Sequence, residues 1–391
     1  MSVITSRVKD TYPILFLFLL WLTIHALLVL KYGHRELYDA NGYLKGADYI
    51  LANGRLEDVH HTFYLTHIGV ITFFRWLFPN LVSPGIIFQC FVSGVALIVL
   101  FKASVTIFRT RWAGFFSCVI FLCWWDNIQW NTTLMTESLA CSLICFLIFV
   151  LSRFEGNVKN FIWIVILLTL GFFTRPTGVI PIVGVIFFLL TYYWDAISEV
   201  KGLNVILITG IAVFGLFAAD SMFLHWDFTD EYIKGNIVTY MNRSEGTPLY
   251  EPSLRLNTSE LIIPPVESRP ILKMVAFVSN NPLHFLKASA LKLWYLLSGV
   301  RPYYSNIHNV FTITWMLIIY VLFVFGWRQL ANKTIRIFVL STILINCLLI
   351  SISTVDWDNR FYIPMEPAIV LVAGAGAAYV LQMFQRSSFF R

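Results

Sequence analysis

Long apolar segments recur along the whole of this chain, and they restrict its fold more than any other feature does. Many of them have about 17–25 residues, the length that an α-helix needs to cross about 30 Å of hydrocarbon. The 391-residue chain is 58% hydrophobic and only 13% charged, whereas soluble domains carry roughly 25% charged residues. So few charges leave too little polar surface to cover a water-soluble body of this size. We therefore predict an all-α polytopic membrane protein.

Hydropathy predicts about ten transmembrane helices, arranged as a single transmembrane domain over residues 1–391. The predicted spans are roughly 13–31, 84–108, 112–125, 136–152, 160–174, 176–194, 203–222, 310–327, 335–352 and 363–384. No small-residue cleavage site follows the first apolar run, so we interpret it as a retained span and not as a removed signal peptide.

Lysine and arginine in the short connections orient these spans, because such residues concentrate on the cytoplasmic side. They place both ends of the chain inside and two large segments, 32–82 and 223–309, outside. The first of these is itself basic, which opposes the rule, but every other short loop agrees with this orientation. Amphipathic patterns over 39–52, 63–78 and 282–298 predict helices that lie in the membrane interface within these outer loops.

The positions of the cysteines and the net charge argue against some kinds of site and partner. All six cysteines fall inside or at the edges of apolar runs, so the sequence indicates no disulfide framework and no cysteine metal site. The net charge of +6 is placed largely where the membrane orientation requires it. We therefore expect membrane lipid and no nucleic acid among the partners.

Ionisable residues near apolar spans are energetically expensive, so each is a functional candidate. In the predicted topology these residues all lie outside or at the outer ends of spans: Asp39, Asp48, Asp126, Glu137, Arg175, Asp220, Asp356, Asp358, Arg360 and Glu366. Helix capping and snorkelling to the lipid headgroups are the alternative explanation for any one of them.

Asp39 and Arg175 have the most specific settings. Asp39 follows the first span, where a carboxylate can act as general base on an acceptor hydroxyl; it can equally cap the next helix, and Asp48 is the weaker alternative base. Arg175 lies between two apolar runs, and its guanidinium suits a phosphate because it can bind two oxygens at once. Pro176 and Gly178 break the helix there, which frees backbone N–H groups for an anion.

The remaining candidates are supporting ones. Arg360 offers a second phosphate ligand at the entry of the last span, with Glu366 one or two turns deeper. Asp356 and Asp358 have a spacing that can hold a divalent metal, although pairing with Arg360 is the favoured interpretation. His60 can face a phosphate, although a solvated loop histidine is the favoured interpretation. Glu137 opens a span, where it can also serve as a cap.

Several segments resemble the GT-C superfamily of membrane glycosyltransferases, near the dolichyl-phosphate-mannose protein mannosyltransferase-like and aminoarabinose-transferase-like bacterial enzymes. The segment LYDANGYLKGADYILANGRL is similar to the family's Asp-containing first outer loop. The segments MTESL, FFTRPTGVIPI and NRFYIPMEPAIVLVAGAG are similar to its acidic helix start, its Thr-Arg-Pro turn and its final span. HTFYLTHIGVITFFRWLFP is similar to the family's interfacial helix but lacks the prolines that usually begin it.

The resemblance implies a function. Asp39 would be the catalytic base, and Arg175 and Arg360 would contact the phosphate of a polyprenyl-phosphate-linked sugar donor. Transfer would take place on the non-cytoplasmic side of a bacterial inner membrane, onto a glycan, lipid or protein acceptor bound by the outer loops. No cofactor would be required, although a divalent metal such as Mg²⁺ or Mn²⁺ is compatible with the site. Two alternatives stay open: an O-antigen polymerase or ligase that uses diphosphate-linked glycans, and a membrane transporter.

Overall fold

The computed structural model describes residues 2–37, 39–79, 81–226, 228–248, 250–265 and 269–388. Over these residues the chain is helical, and isolated β-bridges take the place of any sheet. The α-helices are α1 (Ser2–Tyr32), α2 (Ala40–Asn53), α3 (Leu65–Leu77), α4 (Ser83–Phe108), α5 (Arg111–Cys123), α6 (Trp125–Ile128), α7 (Thr136–Leu151), α8 (Val158–Phe172), α9 (Val179–Tyr192), α10 (Trp194–Glu199), α11 (Leu203–Trp226), α12 (Phe228–Ile233), α13 (Pro270–Asn280), α14 (Pro282–Ser298), α15 (Asn306–Gln329), α16 (Lys333–Ile352) and α17 (Glu366–Ser388).

Among the described residues, five helices are long and apolar enough to cross a membrane. They are Pro13–Tyr32 of α1, α4, α15, α16 and Glu366–Gln385 of α17. Shorter apolar helices occur at α5, α7, α8, Pro176–Tyr192 and α13. This set of helices fits a multi-pass membrane protein, and the predicted all-helical class is confirmed.

Each predicted span overlaps an α-helix over most of its length. The three amphipathic segments are also helical, as α2, α3 and α14. The count of ten crossings and the interfacial position of these three helices stay predictions.

The chain groups into two compact units. The first contains Met1–Ile186, Ile318–Ile343 and Ile363–Arg391, and the second contains Phe187–Leu317 and Leu344–Tyr362.

Glycines set the packing of the last helix in the first unit. A methyl group at Gly376 of α17 would overlap the carbonyl oxygen of Leu322 on α15, and one at Gly374 would overlap Ser117 on α5. Helices inside a membrane gain stability from such close backbone contact, because lipid provides no hydrophobic force to push them together. The small residues of α17 therefore decide which helices it can touch.

Helices α2 and α3 form a hairpin that is held together by an ion pair and attached to α8 by hydrogen bonds. Asp48 on α2 pairs with Arg75 on α3, with 2.6 Å between Oδ1 and Nε. At the start of α3, Thr66 donates its backbone N–H to Phe173 O at 2.8 Å and its hydroxyl to Leu170 O at 3.0 Å. These bonds attach the hairpin to the C-terminal end of α8, immediately before Arg175.

In the second unit, α12, α13 and α14 share a small core that includes Tyr232 and Phe277. Lys292 of α14 is fully buried beside it. Its Nζ lies 3.3 Å from the centroid of the Tyr232 ring and donates to Ser353 O at 2.6 Å. Burial lowers the pKa of the Lys292 amine well below its usual value. This lysine ties α14 to the chain that follows α16.

Candidate functional site

A pair of backbone hydrogen bonds fixes the approach to α2. Arg35 donates its N–H to Thr132 O at 3.0 Å, and Leu134 returns a bond to Arg35 O at 2.9 Å. The Arg35 guanidinium adds a bond to Gln129 O at 3.0 Å. The chain that leads to Asp39 is thereby held against the segment that leads into α7.

Asp39 lies at the N-terminus of α2, but its carboxylate does not cap the helix. Its carbonyl oxygen accepts from Gly42 and Tyr43 at 2.9 and 3.2 Å, as the first turn requires, while its side chain makes no capping hydrogen bond. The residue is exposed. The carboxylate is therefore accessible to a reacting hydroxyl.

Arg175 and Glu137 meet in the same unit, at the N-terminal end of α7. Arg175 Nη1 lies 3.4 Å from Glu137 Oε1, and the two side chains are only 7% and 2% exposed. Nη1 nevertheless makes no hydrogen bond. A guanidinium has five N–H donors, and buried donors in native proteins are normally satisfied. This cation therefore has donor capacity to offer a ligand.

The turn that carries Arg175 depends on its neighbours in sequence. A Cβ at Gly178 would overlap the backbone of Gly171, so only glycine lets the chain fold back so closely after α8. Thr174 donates its hydroxyl to Leu170 O at 2.6 Å. The Thr177 hydroxyl is buried and has no hydrogen-bond partner. The turn therefore contains, besides Arg175 Nη1, a second buried polar group without a hydrogen-bond partner.

Tyr43 belongs to this site, although sequence reasoning missed it. Its side chain is 5% exposed, and its hydroxyl interacts electrostatically with Glu137, Asp39 and Arg175. The signal in the sequence was its spacing: four residues after Asp39 on a helix place both side chains on one face.

Glu366 is held at the start of α17. Its Oε1 accepts from Asn127 Nδ2 at 2.7 Å, and both residues are almost fully buried. Glu366 also interacts with Asp126. Asn127 was not among the predicted site residues, because a single asparagine beside two tryptophans carries no pattern.

Two supporting candidates have local partners in the α2–α3 hairpin. Asp48 is engaged by Arg75, which leaves it less suited than Asp39 to the role of base. His60 packs its ring 5.4 Å from that of Tyr64, and its backbone N–H donates to Asp58 at 2.9 Å.

Arg360 lies in the second unit, where it pairs with Asp356 through Nε and Nη2. This confirms the expected pairing for Asp356. Asp358 instead accepts from the Tyr304 hydroxyl at 3.2 Å. Within the described residues, no three His, Cys, Asp or Glu side chains are grouped so as to hold a metal ion. The two aspartates therefore bond to different partners.

Arg301 holds the chain around Asp356 and was also missed. It is fully buried, and its guanidinium donates to backbone carbonyls: twice to Asp356 O and once each to Tyr295 O and Val300 O. An arginine in a polar, Pro-containing loop gives no sign of such burial in the sequence.

No protein-family model matches this chain, and no curated protein matches it.

Proposed function

We propose that this protein is a glycosyltransferase that moves a monosaccharide from a polyprenyl-phosphate donor to an acceptor hydroxyl. One observation carries the proposal: the buried Arg175 guanidinium retains an Nη1 donor without a hydrogen bond, in the same unit as the exposed Asp39 carboxylate. Tyr43 interacts with both residues. A guanidinium that can offer a donor to an anion, in the same unit as an accessible carboxylate, supplies the pair of groups that this transfer requires.

The proposed reaction is a direct displacement at the anomeric carbon of the sugar. Asp39 takes the proton of the acceptor hydroxyl as the acceptor oxygen bonds to the anomeric carbon. The bond from that carbon to the phosphate oxygen breaks through an oxocarbenium-like state, and its electron pair stays on the phosphate. Arg175 stabilises the negative charge that develops there. The products are the glycosylated acceptor and the free polyprenyl phosphate.

The membrane arrangement belongs to the same proposal. Ten crossings would place Asp39 and Arg175 on the non-cytoplasmic face of a bacterial inner membrane, with α2, α3 and α14 lying in the interface. Glu366 would support the site from α17. These assignments rest on the charge distribution and on the resemblance to GT-C enzymes.

The test compares Asp39→Asn with Asp48→Asn in purified protein reconstituted with polyprenyl-phosphate-linked sugars. Both variants change one carboxylate of the same outer segment into an amide. We expect Asp39→Asn to lower transfer by about 100-fold or more, as the loss of a general base does, with an unchanged melting temperature. Asp48→Asn should retain most of the activity, because Asp48 is engaged by Arg75.

Three results would contradict the proposal. Near-normal transfer by Asp39→Asn would show that Asp39 is not the catalytic base. Transfer from diphosphate-linked but not monophosphate-linked donors would favour a polymerase or ligase, and substrate uptake by the proteoliposomes without transfer would favour a transporter.

A further inference from the structure

Tyr43 is placed to act on the same ligand as Arg175. It lies one helical turn after Asp39 on α2, and its side chain is 5% exposed. Its hydroxyl is within electrostatic reach of Asp39, Glu137 and Arg175. No hydrogen bond from this hydroxyl to another described residue is found. The donor is therefore available, as is the Nη1 donor of Arg175.

Two aromatic neighbours hold the Tyr43 ring in this position. His67 of α3 meets it edge to face with 5.1 Å between centroids, and the Tyr64 ring lies 5.2 Å away. His67 is fully buried, and neither of its ring nitrogens has a hydrogen-bond partner. A buried imidazole without partners costs free energy, and here its ring supports Tyr43 by contact alone. A rigid ring fixes where the hydroxyl can reach.

The surroundings also keep the hydroxyl protonated. Burial raises the pKa of Tyr43 well above its usual value, and the nearby Tyr64, Glu137 and Asp39 raise it further, while Arg175 opposes them. A protonated phenol beside a buried carboxylate and a guanidinium can act as a hydrogen-bond donor at every pH near neutrality. It is not suited to act as a base.

We propose that the Tyr43 hydroxyl donates a hydrogen bond to the phosphate that Arg175 binds, so that these two residues together hold the phosphate group of the polyprenyl-phosphate donor and of the prenyl phosphate that the transfer releases. This inference rests on the proposed function and assigns its donor site a second binding residue. The phenol would give the phosphate a neutral donor from α2, whereas Arg175 gives it charge from the turn after α8. Since α2 also begins beside Asp39, the same bond would set the distance between the leaving group and the base.

The experiment uses Tyr43→Phe, which removes the hydroxyl and keeps the ring. The matched control is Tyr49→Phe, the same change on the same helix, at a position six residues away that faces another direction. The full-length protein in detergent is titrated with farnesyl phosphate, with inorganic phosphate and with farnesol, and the melting temperature is followed. The three probes separate recognition of a lipid phosphate from recognition of free phosphate or of the prenyl chain.

We expect farnesyl phosphate to stabilise the parent and Tyr49→Phe, and to bind Tyr43→Phe about 10- to 100-fold more weakly, the usual effect of losing a hydrogen bond to a charged group. Transfer activity should fall over the same range, chiefly through the KM for the donor. Equal affinity of Tyr43→Phe and the parent would overturn the inference while leaving the proposed function intact. If farnesyl phosphate fails to stabilise even the parent, or if farnesol stabilises it as well, phosphate recognition itself is wrong. In that case the proposed function falls together with this inference.

Discussion

Arg175 and Glu137 form a buried ion pair in which Nη1 of the arginine lies 3.4 Å from Oε1 of the glutamate. The glutamate comes from the first turn of α7 and the arginine from the turn after α8. At this separation each charge offsets the other without a close hydrogen bond. The arrangement leaves the arginine able to exchange part of that interaction for an incoming anion.

Removing one member of this pair should be more harmful than removing both. Glu137→Leu leaves the buried Arg175 charge uncompensated, which typically costs about 3–5 kcal/mol of unfolding free energy. The double variant Glu137→Leu/Arg175→Leu should recover much of that loss. Chemical unfolding in detergent measures the difference, with Glu245→Gln at the exposed Arg255–Glu245 pair as a control expected to cost about 1 kcal/mol or less. If the effects of Glu137→Leu and of Arg175→Leu add up to the effect of the double variant, the two residues do not interact.

His67 should make the stability of the protein depend on pH. Burial lowers its pKa from 6.5 to about 3, so between these values the unfolded chain binds a proton that the folded chain does not. The contribution of His67 to the free energy of unfolding should therefore be fully present above about pH 6.5. Below that pH it should fall by roughly 1.4 kcal/mol per pH unit on acidification. His67→Leu should remove this part of the slope between pH 6 and pH 4. A variant with the same slope as the parent in parallel melts would exclude His67 as its source.

Arg301 should not tolerate replacement by lysine. Its guanidinium reaches three backbone carbonyls at once, and a lysine ammonium cannot reproduce that planar fork. Arg301→Lys should therefore lower the unfolding free energy by at least about 2 kcal/mol, because buried carbonyls lose their donors. The exposed Arg243 provides the control, since Arg243→Lys should stay within about 0.5 kcal/mol of the parent. Equal effects of the two changes would contradict the structural role of Arg301.

Gly376 should be required for the packing of α17. A Cβ at this position would overlap the Leu322 carbonyl oxygen, so Gly376→Ala must push α15 and α17 apart and should cost about 1–3 kcal/mol or more. Gly210 of α11 has open space where its Cβ would lie. Gly210→Ala should leave the melting temperature unchanged or raise it, since alanine favours a helix over glycine. A stable Gly376→Ala protein would show that the two helices can separate without loss.

Much of the architecture could be read from the pattern of residues. Spans such as 84–108 and 335–352 coincide with helices α4 and α16 almost to the residue, because a membrane helix needs a long apolar run of its own and little help from its neighbours. Asp39 and Arg175 could also be selected from the sequence, since ionisable residues beside apolar runs are few.

The partners of these residues could not be selected in the same way. The pairing of Glu137 with Arg175, of Glu366 with Asn127 and of Arg301 with distant carbonyls joins segments far apart in the chain. Tyr43 reaches the site because the bonds of Thr66 hold the α2–α3 hairpin against the end of α8.

The sequence by itself therefore determined the membrane class, the helices and the short list of costly polar residues. The cost of placing a charge beside lipid is a local property, and composition records it. Only the tertiary structure decided that Asp48 is engaged by Arg75, that Asp356 neutralises Arg360, and that Arg175 retains an unbonded donor. Hydrogen bonds and ion pairs depend on distances of a few ångströms between segments that only packing brings together, and no local pattern encodes those distances.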